Sequence, residues 1–147
     1  MTSEEIQEWQ RKAQAGSVPY QTLLGICYLE GVNVERDYGE ALRLLSAAAS
    51  KGAARAITNL ARMYAEGIGV WSDPQRAVDL YEDAASRGEF LAQIALGRIY
   101  SQGLGVPVDL EAAFDWYSDA LGQADSVAPC QDLEDAQAFV SGRGVRR

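Results

Sequence analysis

The chain has 147 residues, 48% of them apolar, which is enough for one domain with a sizeable core and too apolar for a disordered chain. Thirteen Lys and Arg stand against 21 Asp and Glu, so the net charge is −8, which argues against nucleic acid and anionic membrane surfaces as partners. Histidine is absent, which removes the commonest general base, metal ligand and pH switch. The start, Met1 to Ile6, shows neither a basic n-region nor an apolar h-region, so no signal peptide is expected. No run reaches the ~18 apolar residues of a membrane helix. Cys27 and Cys130 are far apart in sequence. A disulfide between them is one reading. Two reduced thiols in a cytoplasmic protein is the favoured one.

A period of 36 residues runs through the chain. Tyr28, Tyr64 and Tyr100 keep it, as do Gly31, Gly67 and Gly103, and Asp37, Asp73 and Asp109. Leu24, Leu60 and Leu96 follow the same spacing, with Gly25, Ala61 and Gly97 beside them. Residues 1–16 read as a half-repeat, in which Glu5, Trp9 and Lys12-Ala13 fall on Ala41, Leu45 and Ala48-Ala49. Thr2 with Glu5 suits a capping box there. Three full units follow, at 17–52, 53–88 and 89–124. Each reads as two helices, so the fold class is all-α.

The first helices are predicted at Val18–Leu29, Ala54–Ala65 and Phe90–Ser101, where apolar positions recur on one 3.6-residue face. Gly25, Ala61 and Gly97 sit inside them, which implies a close approach by a neighbouring helix backbone. The second helices are predicted at Tyr38–Ser50, Pro74–Ser86 and Leu110–Leu121. Asp37, Asp73 and Asp109 stand at their N-caps, and Gly52 and Gly88 just past their ends. Between the helices, Asn33, Gly69 and Gly105 share a column. Asn is one of the few residues other than Gly that adopt positive φ, so all three are expected there. Past the third unit, Leu133, Ala136, Phe139 and Val140 make an apolar stripe. Pro129–Val140 is therefore read as a helix within a cap over 125–141, followed by a solvated tail at 142–147. The whole, 1–147, is read as one domain.

The columns resemble the Sel-1-like repeat family, relatives of the tetratricopeptide repeats. The likeness rests on Leu96-Gly97, Tyr100, Gly103-x-Gly105-Val106, Asp109, Ala113 and Tyr117, and in the second unit on Tyr81, Ala84-Ala85 and Gly88. It implies a right-handed α-solenoid of antiparallel helix pairs, here three repeats with capping helices. With no export signal expected, a bacterial cytoplasm is the setting read for it. Some relatives carry a cysteine pair in every repeat, and this chain has no such pattern.

Chemistry has few carriers. Asp79 with Asp83, and Asp115 with Asp119, are four apart and share helix faces, which reads as a solvated surface. Cys27 falls in an apolar column with Met63 and Ile99, and no His stands ready to activate it. No catalytic residue, metal site or cofactor is expected. By the resemblance, the first helices line a concave face. Register places Thr22, Ile26, Arg55, Thr58, Arg62, Leu91, Ile94 and Arg98 outward on it, with Asn59 at its rim. This face is expected to hold another protein or an extended, acidic peptide, with Arg62 and Arg98 stacked along it. Pairing of these arginines with Glu30, Glu66 and nearby acids is the competing reading. Trp71, in a loop, is expected to be more exposed than Trp9 and Trp116 yet to pack on its own repeat. The function expected is an interaction module or adaptor, monomeric or weakly dimeric. A dedicated inhibitor or immunity protein that blocks a toxin or enzyme is the alternative.

Overall fold

The computed structural model describes residues 1–123, 126–127 and 129–146, with the backbone alone for 143–146, and among these residues eight α-helices form. They are α1 (Ser3–Gln14), α2 (Val18–Glu30), α3 (Tyr38–Ser50), α4 (Ala54–Glu66), α5 (Pro74–Ser86), α6 (Phe90–Gln102), α7 (Leu110–Leu121) and α8 (Gln131–Arg146). No strand occurs among the described residues. The three second helices have the bounds expected from sequence. The first helices each run one residue further, because Gly31, Gly67 and Gly103 close the last turn. Their φ values are 70°, 68° and 68°, and their N–H groups donate to the carbonyls of Cys27, Met63 and Ile99.

Short polar side chains start the helices. Thr2 Oγ1 accepts from the Glu5 N–H at 3.2 Å, and Asp37, Asp73 and Asp109 accept from the N–H three residues on. Asn33, Gly69 and Gly105 have φ of 65°, 71° and 81°, as the shared column requires. The last helix differs from expectation. It begins at Gln131 rather than Pro129 and runs to Arg146 rather than ending at Val140. Gly142 and Gly144, at about 1 kcal/mol each, do not stop it. The tail expected at 142–147 is thus helical through Arg146, and its arginine side chains lie outside the described residues.

The chain divides into two units, Met1–Leu80 and Tyr81–Arg147, with the division inside α5. In the first unit, Ala13, Leu24 and Leu44 pack with Trp9, Tyr20 and Tyr28, which joins α1 to α2 and α3. Trp9 meets Tyr20 edge-on at 5.7 Å. A second cluster centres on Leu45 and Met63, both fully buried. In the second unit, Ile94, Tyr117, Ala120 and Ala136 form the core, flanked by Phe139 and Val140 of α8. Each fully buried Leu or Ile side chain contributes about 1.5–3 kcal/mol.

The small residues inside the first helices meet side chains rather than mainly backbone. A Cβ on Gly25 would stand 2.7 Å from Leu45 Cγ, with the Leu45 nitrogen at 3.3 Å. A Cβ on Gly97 would stand 2.6–2.7 Å from three ring atoms of Tyr117. A reaching bond also recurs. Lys51 Nζ donates to the Gly16 carbonyl at 3.1 Å, and Gln123 Nε2, two periods on, donates to the Gly88 carbonyl at 3.0 Å.

Candidate functional site

The first helices expose less than the sequence register implies. Thr22, Thr58 and Ile94 share one column, and all three are buried, at 7%, 7% and 3% exposure. The expectation that they face outward is therefore corrected. Their column belongs to the core. The two threonines tolerate this because each hydroxyl donates to the carbonyl four residues back, Val18 at 3.0 Å and Ala54 at 3.1 Å. Ile26 is half-buried and packs against the Leu45–Met63 cluster. Asn59 is half-buried, and its Nδ2 donates to the Arg55 carbonyl at 2.9 Å.

Arg55, Arg62, Leu91 and Arg98 do reach the surface. Arg55 is exposed, and among the described residues it forms no ion pair. Arg62, on α4, pairs with Glu30 of α2 and lies 4.0 Å from Glu66. Arg98, on α6, lies 3.5 Å from Asp132 of α8. Both arginines thus have the carboxylate partners of the competing reading, each within its own unit. These pairs are solvent-exposed, so each contributes at most about 1 kcal/mol to stability and is exchangeable. Leu91 is half exposed.

Trp71 is more exposed than its expected packing on its own repeat allows. It is 95% exposed and does not pack on its own repeat. Trp9 and Trp116 are half-buried, so the expected ranking among the three holds. The loop that carries Trp71 is fixed: the Ile68 N–H donates to the Met63 carbonyl and the Asp73 N–H to the Tyr64 carbonyl, each at 2.9 Å. Ile68 and Val70 point inward against the core. An open depression of about 450 Å³ beside the indole is lined by Gly67, Gly69 and Val70.

The remaining candidates have surroundings that do not activate them. Asp79, Asp83, Asp115 and Asp119 are exposed, and Asp83 pairs with Arg87 at 2.9 Å. A cleft of about 230 Å³ in the first unit lies between Gln10, Leu24, Tyr28 and the Glu40–Arg43 pair. Among the described residues no group of three His, Cys, Asp or Glu side chains stands close enough to hold a metal, and no helix is long and apolar enough to cross a membrane. Both cysteines are free. Cys27 is buried, and burial pushes its thiol above the ordinary range. Iodoacetamide at neutral pH is therefore expected to alkylate the half-buried Cys130 first and Cys27 only on unfolding, as read by peptide mass spectrometry. Equal labelling rates would show that Cys27 is not shielded.

The geometry described is that of repeated helix pairs, and comparison with known proteins agrees. The Sel1 repeat family model matches residues 18–52, 54–89 and 91–121. A Sel1 repeat protein from Oxalobacter formigenes is 35% identical, with a TM-score of 0.73, over 90% of this chain and 97% of that one. The protective antigen c5321 of uropathogenic Escherichia coli, which displays an SLR fold, is 36% identical with a TM-score of 0.76. That match covers 80% of this chain but only 25% of the antigen, so this chain spans about a quarter of its length. Cysteine-rich protein B of Helicobacter pylori shares the fold, with a TM-score of 0.62 at 20% identity, over 77% of this chain and 86% of that one. No curated protein sequence matches. With three matched repeats in phase, each capped by its aspartate and turned by its left-handed glycines, the chain belongs to the Sel1 repeat family.

Proposed function

We propose that this protein is a non-catalytic interaction module that binds another protein through the outward side chains of its first helices. Sel1 repeats generally serve as scaffolds for protein interaction. The observation that carries the reading here is the state of the arginines. Arg62 and Arg98 are held at the surface by the exposed Glu30 and the half-buried Asp132, carboxylates that a ligand carboxylate can replace. Arg55 and Asn59 beside Arg62, and Leu91 on α6, extend the two faces. Thr22, Thr58, Ile26 and Ile94 act from below, by setting the helix positions. An acidic, extended segment is the partner that suits these faces, and the bacterial cytoplasm is the proposed setting.

The test starts from affinity purification of the tagged chain with mass spectrometry. A recovered partner is then titrated against the double variant Arg62→Glu, Arg98→Glu. Binding is expected to weaken by at least ~2 kcal/mol, about thirtyfold, with helicity retained and with wild-type binding falling as salt rises. Unchanged affinity would place the contact elsewhere on the molecule.

A further inference from the structure

Among the described residues, eight large apolar side chains are exposed. Six of them, Val32, Tyr38, Trp71, Leu104, Val108 and Leu110, stand in the loop between the two helices of a repeat or on the first residue of the second helix. Every repeat thus places apolar surface at the same edge of its own helix pair. Burial within the repeat does not require these side chains, because the loop is already closed by its backbone.

The third repeat concentrates this feature. Leu104, Val108 and Leu110 are 47%, 58% and 51% exposed within a seven-residue segment. That segment is held by the Leu104 N–H on the Ile99 carbonyl at 3.0 Å and the Asp109 N–H on the Tyr100 carbonyl at 2.9 Å. Gly103 and Gly105 turn it in the left-handed region. Val108 Cγ2 lies over Gly103, only 2.9 Å from where a Cβ would be. The apolar groups are therefore presented in a fixed arrangement, which lowers the ordering cost of a contact.

Charge selects what lands there. From residue 99 to residue 142 the chain has eight carboxylates and neither a lysine nor an arginine. Asp109, Glu111, Asp115 and Asp119 are exposed on or at the start of α7, which begins at this loop. The nearest arginine in sequence, Arg98, faces Asp132. An acidic apolar partner would gain the apolar contact but meet like charge from these carboxylates, whereas a basic one would gain both. A second copy, at −8, would add like charge.

We propose that Leu104, Val108 and Leu110, flanked in sequence by the exposed carboxylates of Asp109 and Glu111, form a docking surface for a basic segment of another protein that carries leucine-sized side chains. The surface differs in place and in charge preference from the arginine-bearing faces, so either assignment can fail without the other.

The probes are three fluorescein-labelled peptides of equal length, alternating lysine with leucine, lysine with serine, and glutamate with leucine. Each is titrated against the intact chain by fluorescence anisotropy at about 0.15 M salt. The lysine–leucine peptide is expected to bind at least tenfold tighter than the other two. The triple variant L104S/V108S/L110S, which keeps every charge, is expected to lose at least tenfold, and Leu104→Ser alone provides a variant outside the helices should the triple one lose helicity. Glu111→Gln with Asp115→Asn is expected to flatten the salt dependence. Equal binding of the lysine–serine peptide, equal binding of the glutamate–leucine peptide, or affinity unchanged in both serine variants would each overturn the proposal. So would self-association of the wild-type chain in sedimentation that Leu104→Ser removes, because the occupant would then be a second copy.

Discussion

Replacing Gly97 by valine is expected to destabilise the second unit by about 3 kcal/mol. Glycine inside a helix ordinarily costs about 1 kcal/mol against alanine, so on propensity alone most substitutions there would help. The Tyr117 ring reverses this. It is buried at 7% exposure, tilts against Phe139 at 5.1 Å, and occupies the space where the new side chain would begin. The ring cannot swing into solvent without opening the cluster that ties α6, α7 and α8 together. Urea unfolding followed by circular dichroism measures the loss. In a Tyr117→Ala background the same substitution should cost less than about 1 kcal/mol, because the obstacle is gone, and this coupling identifies the contact rather than the helix as the cause. Stability within about 0.5 kcal/mol of wild type for the single variant would mean that the ring and the helix do not meet as described.

The repeat made the local structure legible. One aspartate column fixed the helix starts, and one Gly/Asn column fixed the loop turns, because both needs are local and recur three times. Orientation was harder to read. Thr22 and Thr58 look like surface residues by composition, but a helical hydroxyl satisfied by the carbonyl four residues back can be buried at little cost. Ile94, in the same column, was the apolar signal that the column points inward. The small residues at 25 and 97 announced close packing but not its partner, since a leucine and a tyrosine side chain fill the two positions. At α8 the period breaks, and with it the basis for placing helix ends.

The surface was least legible of all. Charge along the sequence suggested arginines waiting for an acidic ligand, whereas Arg62 and Arg98 each have an acid from a neighbouring helix. The Arg62–Glu30 pair is the one the competing reading named, whereas Asp132 comes to Arg98 from 34 residues away on α8, where the period has already broken. Trp71 shows the opposite error. A large aromatic in a tight loop suggests packing, yet Ile68 and Val70 already fill the space beneath the loop, and the indole is left outside. The Val32, Ile68 and Leu104 column carries apolar residues in all three repeats, but Ile68 turns to the core while Val32 and Leu104 are exposed, so the column alone does not tell which way a side chain faces.

Gly69→Val is expected to cost about 2–4 kcal/mol, from two separable causes. The first is backbone conformation. Gly69 has φ of 71°, where a β-branched residue is strained by about 1–2 kcal/mol. The second is space. A Cβ there would stand 2.7 Å from Tyr38 Cβ, an atom fixed to the backbone at the start of α3 and unable to move alone. Gly88 isolates the first cause, because its φ is 88° and nothing lies within 4 Å of the position of its Cβ. Gly88→Ala should therefore lose only about 1 kcal/mol. Gly69→Asn isolates the second, since asparagine accepts this backbone region, as Asn33 does one repeat earlier at φ 65°. If both causes operate, chemical unfolding should rank Gly69→Val as the most destabilising of the three, with Gly69→Asn between it and wild type. The indole of Trp71 reports the same event locally. Two residues from Gly69, it should change its near-ultraviolet circular dichroism in Gly69→Val but not in Gly88→Ala. A Gly69→Val chain as stable as Gly88→Ala would show that the loop does not press on Tyr38, and that left-handed φ alone sets the demand for glycine at this position.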